Sequence, residues 1–261
     1  MRFQEVILAE EVNIGAVTRI ISSDPAIVAE ILKVINSAYY SLPREVTRID
    51  IAVAYLGLHE VHNVVLTASV FNTLGSAHAA EFKALWFHSF YTALCARFLA
   101  HRFERHLSYS ELWAPALLHD IGKILYFKFF PKHFKAILQY AEEHHCMHRE
   151  AERALGLPES TYLGGLLCDR WRLPREVKTV CTEQGVDVLR EARSGKTLSP
   201  IHRLVILGDL MAVLATSTLT TEIRLEITEM LREELNLTEP DFLVLMGSII
   251  DLKEEAERLA V

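Results

Sequence analysis

The sequence predicts an all-helical protein, and three observations carry that prediction. Apolar residues recur at helical spacing almost everywhere, as in Ile27, Ile31, Val34 and Ile35 on one face. Prolines stand where helices begin, in Ser23-Asp24-Pro25 and Ser199-Pro200 after a capping oxygen, and again in Leu173-Pro174. Alternating patterns of the kind a half-buried strand needs are missing beyond a few residues.

Taken in order, the first clear helix starts at Pro25. A long helical stretch begins around His88, in Trp86-Phe87-His88-Ser89-Phe90, and runs to about His101. A short turn over 102–110 then lets a second helix, capped at Ser108 or Ser110, return beside the first. Pro115 lies beyond that cap and is expected to kink the helix. After the starts at Pro174 and Pro200 comes the apolar run 204–212. From Thr220 onward, Leu225, Ile227, Met230, Leu231 and Leu235, then Phe242, Leu243, Leu245, Met246 and Ile249, define two amphipathic helices joined near Thr238-Glu239-Pro240. Three blocks follow: an N-terminal helical subdomain over 1–75, a helical core over 76–216, and C-terminal helices over 217–261 that complete the core or form a partner surface, the first being favoured.

The chemistry is concentrated in His119-Asp120-Ile121-Gly122-Lys123, which closes the apolar run 112–118. Burying an imidazole beside a carboxylate costs several kcal/mol unless each finds a partner, and a divalent ion suits both. The pair alone is also compatible with a buried hydrogen-bonded couple or a helix cap. Two distant residues add weight to the metal reading. His88 precedes His119 by a helix-turn-helix distance, and Asp209 is a single acid in an otherwise apolar run, where no helical face offers it solvent. His88, His119, Asp120 and Asp209 together offer two imidazoles and two carboxylates, a set suited to one divalent ion such as Mn, Fe, Ni, Zn or Mg with positions left for water and substrate oxygen. Lys123 would either offset the charge of a substrate phosphate or pair with an acid.

The order His88, His119-Asp120, Asp209 resembles the signature of the HD superfamily of metal-dependent phosphohydrolases. Asn36-Ser37-Ala38-Tyr39-Tyr40, Leu42-Pro43, the stretch 51–58, Trp86-Phe87-His88-Ser89 and Trp171-Arg172-Leu173-Pro174 make the chain similar to the HDOD family, the HD-related output domain of bacterial signalling proteins, from about residue 14 to about 214. The resemblance implies an HD-type helical bundle and a role in signal transduction. HD phosphodiesterases with two or more metals carry additional histidines, at positions that here fall at Ser160 and near Glu183-Gln184. A second metal, and with it two-metal hydrolysis of a cyclic dinucleotide, is therefore not expected.

Composition bounds the rest. With Lys plus Arg 27 against Asp plus Glu 34, the chain carries a formal charge of −7, so nucleic acid is not an expected partner. Cys95, Cys146, Cys168 and Cys181 form no Cys-x-x-Cys pair and read as free thiols of a reducing compartment. No leader or membrane-length apolar run appears, which gives a cytoplasmic expectation and no membrane partner. His144, His145 and His148, among Glu142, Glu143, Arg149 and Glu150, read as a solvated helix face, as His59 and His62 read as surface. Asn36 and Tyr39-Tyr40 read as a helix-ending packing motif.

Two functions remain. The first is a regulatory module that works through a signalling protein partner or a small phosphorylated ligand and retains a one-metal site. The second is a one-metal phosphohydrolase of a nucleotide or related phosphate ester, with Asp120 and Lys123 as its catalytic residues and no clear general acid beyond Glu183. The closer likeness to HDOD favours the first.

Overall fold

The computed structural model describes residues 18, 21–22, 25–36, 40, 42–44, 46–74, 80–104, 106–107 and 110–260. All regular structure among them is helical, in agreement with the predicted fold class. The chain divides into two compact units, Met1–Thr73 and Leu74–Val261.

The first unit contains α1 (Pro25–Ile35) and α2 (Ile49–Leu74), the latter broken by a kink at Gly57, where φ is 76°. Ile31, Val34 and Ile35 bury the predicted face of α1, and Ala52, Val53, Val61, Val64 and Val65 are buried along α2. The capping residues Ser23 and Asp24, and Ser37 to Tyr39 of the packing motif, lie outside the described residues. Asn36 brackets one backbone position: its Nδ2 donates to the carbonyl of Val46 and its Oδ1 accepts from the amide of Val46, both at 2.7 Å. The Tyr40 hydroxyl donates to Glu60 Oε1. Burial pushes the Glu60 carboxyl up to about 7 against the opposing pull of Tyr40 and Asn63.

The second unit is built around α3 (Ala80–Phe103), which is longer than the predicted stretch, and α11 (Pro200–Thr216). These two helices approach closely because Gly208 has no side chain. A Cβ there would lie 2.8 Å from the amide nitrogen of Ala96 and 2.9 Å from the carbonyl oxygen of Thr92, closer than real Cβ atoms come. Ser199 caps α11 by accepting from the amide of His202, with Pro200 in the first turn, as the sequence predicts.

Between these come α4 (Ser110–Leu118), α5 (Ile121–Phe129), α6 (Pro131–His144), α7 (His148–Ala154), α8 (Ser160–Trp171), α9 (Arg175–Thr182) and α10 (Gly185–Arg193). Pro115 sits inside α4, and the helix stops three residues later, so His119 and Asp120 lie in a two-residue turn and not on a continuing helix. Helix α4 lies against α3 and α9, and α5 lies against α8. A satellite core of Tyr126, Phe134, Ile137 and Ala151 joins α5 to α6 and α7.

The C-terminal helices α12 (Thr221–Leu235), α13 (Glu239–Asp251) and α14 (Lys253–Ala260) belong to this second unit. Helices α12 and α13 pack on α11, and α14 packs on α3. Ile227, Leu231, Phe242, Leu245, Ile249, Ala256 and Leu259 are buried there, and the Tyr91 hydroxyl of α3 donates to the carbonyl of Ile249 at 2.8 Å. No helix among the described residues is long and apolar enough to cross a membrane.

Candidate metal centre

The fold brings His88, His119, Asp120 and Asp209 together. His88 projects from α3 one turn before Thr92, and Asp209 follows Gly208 on α11, so the close contact of those helices sets acid against imidazole. The turn between α4 and α5 supplies His119 and Asp120. His88 Nε2 lies 3.0 Å from Asp209 Oδ1 and 3.4 Å from Asp120 Oδ2. His119 Nε2 lies 3.3 Å from Asp120 Oδ2 and 3.6 Å from Asp209 Oδ1.

Those separations are short, yet neither buried Nε2 makes a hydrogen bond. Buried ring nitrogens that make no hydrogen bond are costly. The His119 ring is oriented from its far side, where Nδ1 donates to the carbonyl of Ala116 at 2.7 Å, which in the neutral ring leaves Nε2 as a lone pair facing the carboxylates. Donor atoms of His88, His119 and Asp209 all lie within 4.8 Å of one another. Two ligands bonded at about 2.1 Å to one ion stand roughly 3.0 Å apart at a right angle and roughly 3.4 Å apart at the tetrahedral angle, so these spacings are compatible with a shared ion. The residues fit a divalent ion.

Electrostatics agrees with the geometry. Burial works against charge on both imidazoles, but Asp120 and Asp209 outweigh it, raising His88 and carrying His119 up to about 10. Burial likewise opposes ionisation of Asp120, yet His119 and Lys123 hold it well below the usual carboxylate range. Asp209 is lowered too, its burial outweighed by the two histidines. Of the two roles left open for Lys123, the structure displays the pairing: its Nζ lies 2.5 Å from Asp120 Oδ2. Lys123 is itself raised, because Asp120, Asp209 and Glu152 together exceed the effect of its burial.

Sequence reasoning missed the residues that hold the turn. Gln184 Nε2 donates to the carbonyl of His119 at 2.5 Å, and the Cys181 thiol donates to the carbonyl of Leu118 at 3.0 Å. Gly122 lets α5 meet the start of α8: a Cβ there would fall 1.8 Å from the carbonyl oxygen of Ser160. The available signal was a glycine within two residues of each acid, in Asp120-Ile121-Gly122 and Gly208-Asp209.

Several readings are corrected. His144 and His145 are exposed, but His148 is not part of a solvated face, because His145 adopts a left-handed backbone conformation that ends α6 and His148 opens α7. There His148 Nε2 lies 3.3 Å from Glu152 Oε1, and Glu152 is fully buried with its other oxygen accepting from the amide of Ser160 at 2.9 Å. Glu183, the one acid put forward as a proton donor, pairs with Lys196 at 2.8 Å. His62 is half-buried, and the side chain of His59 lies outside the described residues.

Comparison with known proteins follows the same lines. The HDOD domain family model matches residues 1–185. An HDOD domain protein with unknown function from Geobacter sulfurreducens superposes with a TM-score of 0.71 at 21% identity, over 99% of this chain and 89% of that one. A provisionally named metal-dependent phosphohydrolase from Shewanella amazonensis SB2B gives 0.67 at 20% identity, over 98% and 89%. A provisionally named signal transduction protein from Marinobacter aquaeolei VT8 gives 0.69 at 19% identity, over 99% and 57%. A Treponema pallidum (strain Nichols) protein, named as uncharacterized, is 24% identical over 177 residues, which is 68% of this chain and 34% of that protein, so the chain spans about a third of the length of this curated relative. With most of its length matched by the family and an all-helical fold shared with solved HDOD structures, the chain belongs to the HDOD domain family.

Proposed function

We propose that this chain is a regulatory module of bacterial signal transduction that acts through a protein partner or a small phosphorylated ligand and retains a one-metal site held by His88, His119, Asp120 and Asp209. The observation that carries the reading is what occupies the places where additional metal-binding histidines would stand. Gln184 is spent on the carbonyl of His119, Glu183 on Lys196, and Ser160 is buried with its amide on Glu152 and its carbonyl against Gly122. Those positions support the turn and the start of α8; they add no donors, and no proton-donating acid stands free among them.

The intact donor set favours a second reading, a one-metal phosphohydrolase of a nucleotide or related ester. A divalent ion would supply Lewis acidity and lower the pKa of a water. Asp120 would share its charge between that ion and Lys123, and the Lys123 ammonium would offset charge on a phosphate oxygen. The regulatory reading expects no phosphate release from nucleotides and phosphate esters by the full chain loaded with Mn, Mg or Ni. Release that disappears in Asp209→Ala would establish the enzyme instead.

A further inference from the structure

The contact between α8 and α9 places two thiols together directly behind the turn that carries His119 and Asp120. The helices are close there: a Cβ on Gly164 would lie 3.5 Å from Cys181 Cβ, and one on Gly165 would lie 2.7 Å from Thr182 Cγ2. Cys168 follows Gly164 by one helical turn on that face. Both residues are buried, both thiols are free, and each thiol shifts the acidity of the other. The Cys181 thiol has a single proton, which it donates to the carbonyl of Leu118.

We propose that Cys168 and Cys181 form a reversible disulfide on oxidation by a hydroperoxide, and that this link withdraws the Leu118 hydrogen bond and loosens the turn bearing His119 and Asp120. The two thiols differ in the way such chemistry needs. Cys181, aided by Lys178, holds Cys168 below the usual thiol range against burial and Asp169, while burial first and Cys168 second push Cys181 up. Cys168 sulfur attacks the peroxide, the O–O bond breaks, and a sulfenic acid forms as the thiol proton leaves with the departing alcohol or water. Cys181 sulfur then attacks the sulfenic sulfur, the S–O bond breaks, and water carries away the Cys181 proton. Two thiols lose two electrons in total, and one peroxide gains them. With that proton gone, the Leu118 carbonyl loses this donor, while Gln184 still donates to the carbonyl of His119.

The consequence for metal retention rests on the one-metal reading above; the link and the loosening do not. The test treats the full chain with hydrogen peroxide, maps the cross-link by peptide mass, and follows amide exchange over residues 118–121 in metal-free protein before measuring metal retention. The expected result is a Cys168–Cys181 link that a dithiol reverses, with exchange about tenfold faster, the factor that ~1.4 kcal/mol gives, and weaker metal retention. Cys168→Ser and Cys168→Ala keep the bond from Cys181 to Leu118 and are expected to show neither link nor acceleration. No such link in the native chain, or a link with unchanged exchange, would overturn the proposal. If the link and the faster exchange appear but the reduced chain holds no metal, the switch stands and the one-metal reading falls.

Discussion

At His119, the two nitrogens of one ring face opposite demands. Nδ1 is committed to the carbonyl of Ala116, while Nε2 is buried without a hydrogen bond between two carboxylates. In the metal-free chain those carboxylates outweigh burial and hold the imidazole protonated up to about 10. A histidine raised in this way stabilises the fold fully below its unfolded value near 6.5, and that contribution is lost as pH rises through about 10. A metal needs the neutral ring, so a proton competes with it across this whole window. Apparent metal affinity is therefore predicted to rise with pH, by about tenfold per pH unit for each proton displaced. Chelator competition at pH values from about 7 to about 9 measures this, and a flat profile would contradict the protonated metal-free ring. His119 and Asp120 were legible in the sequence because an adjacent imidazole and acid at the end of an apolar run have few explanations. Gln184 and Cys181 were not, because each acts on a backbone carbonyl more than sixty residues away and leaves no local pattern.

At the scale of elements, the site depends on two approaches that only glycine permits. Gly208 brings α11 against α3 and so sets Asp209 beside His88. Gly122 brings α5 against the first turn of α8. Gly122→Ala would drive its methyl group into the Ser160 carbonyl, and backbone at both sides leaves no flexible side chain to give way. The predicted cost is about 3 kcal/mol of unfolding free energy, with a loss of metal affinity as Asp120 shifts. Urea unfolding reads the first, and a stability equal to that of the native chain would show that α5 and α8 separate without penalty. Helix starts were readable where a capping oxygen precedes proline, and Ser199-Pro200 behaves as read. The break at His119 was not, because Pro115 predicts a kink and gives no indication that the chain would leave the helix and re-enter it at Ile121. The charged residues around His148 pointed to solvent, and the burial of Glu152 beneath the start of α8 is a tertiary event that local composition does not encode.

Over the whole molecule, helical periodicity and the absence of strand patterns sufficed for the fold class, because in a helical protein the apolar face of each element is written in its own spacing. Which faces meet is a different kind of information. The C-terminal helices show it: Leu245, Ile249 and Leu259 read as amphipathic faces, but only the fold shows that α13 lies on α11 and α14 on α3. The same distinction separates the donor set, legible as a quartet in order, from the 3.0 to 3.6 Å between its imidazole nitrogens and carboxylate oxygens, which only the fold supplies. On the function proposed above, these four side chains hold one ion. Metal content of the purified chain, measured after reconstitution with Mn, Fe, Ni and Zn beside His119→Ala, tests it most directly. About one tightly held ion per chain, lost in His119→Ala, is the predicted result; no retained ion in either protein, with both equally stable, would contradict it.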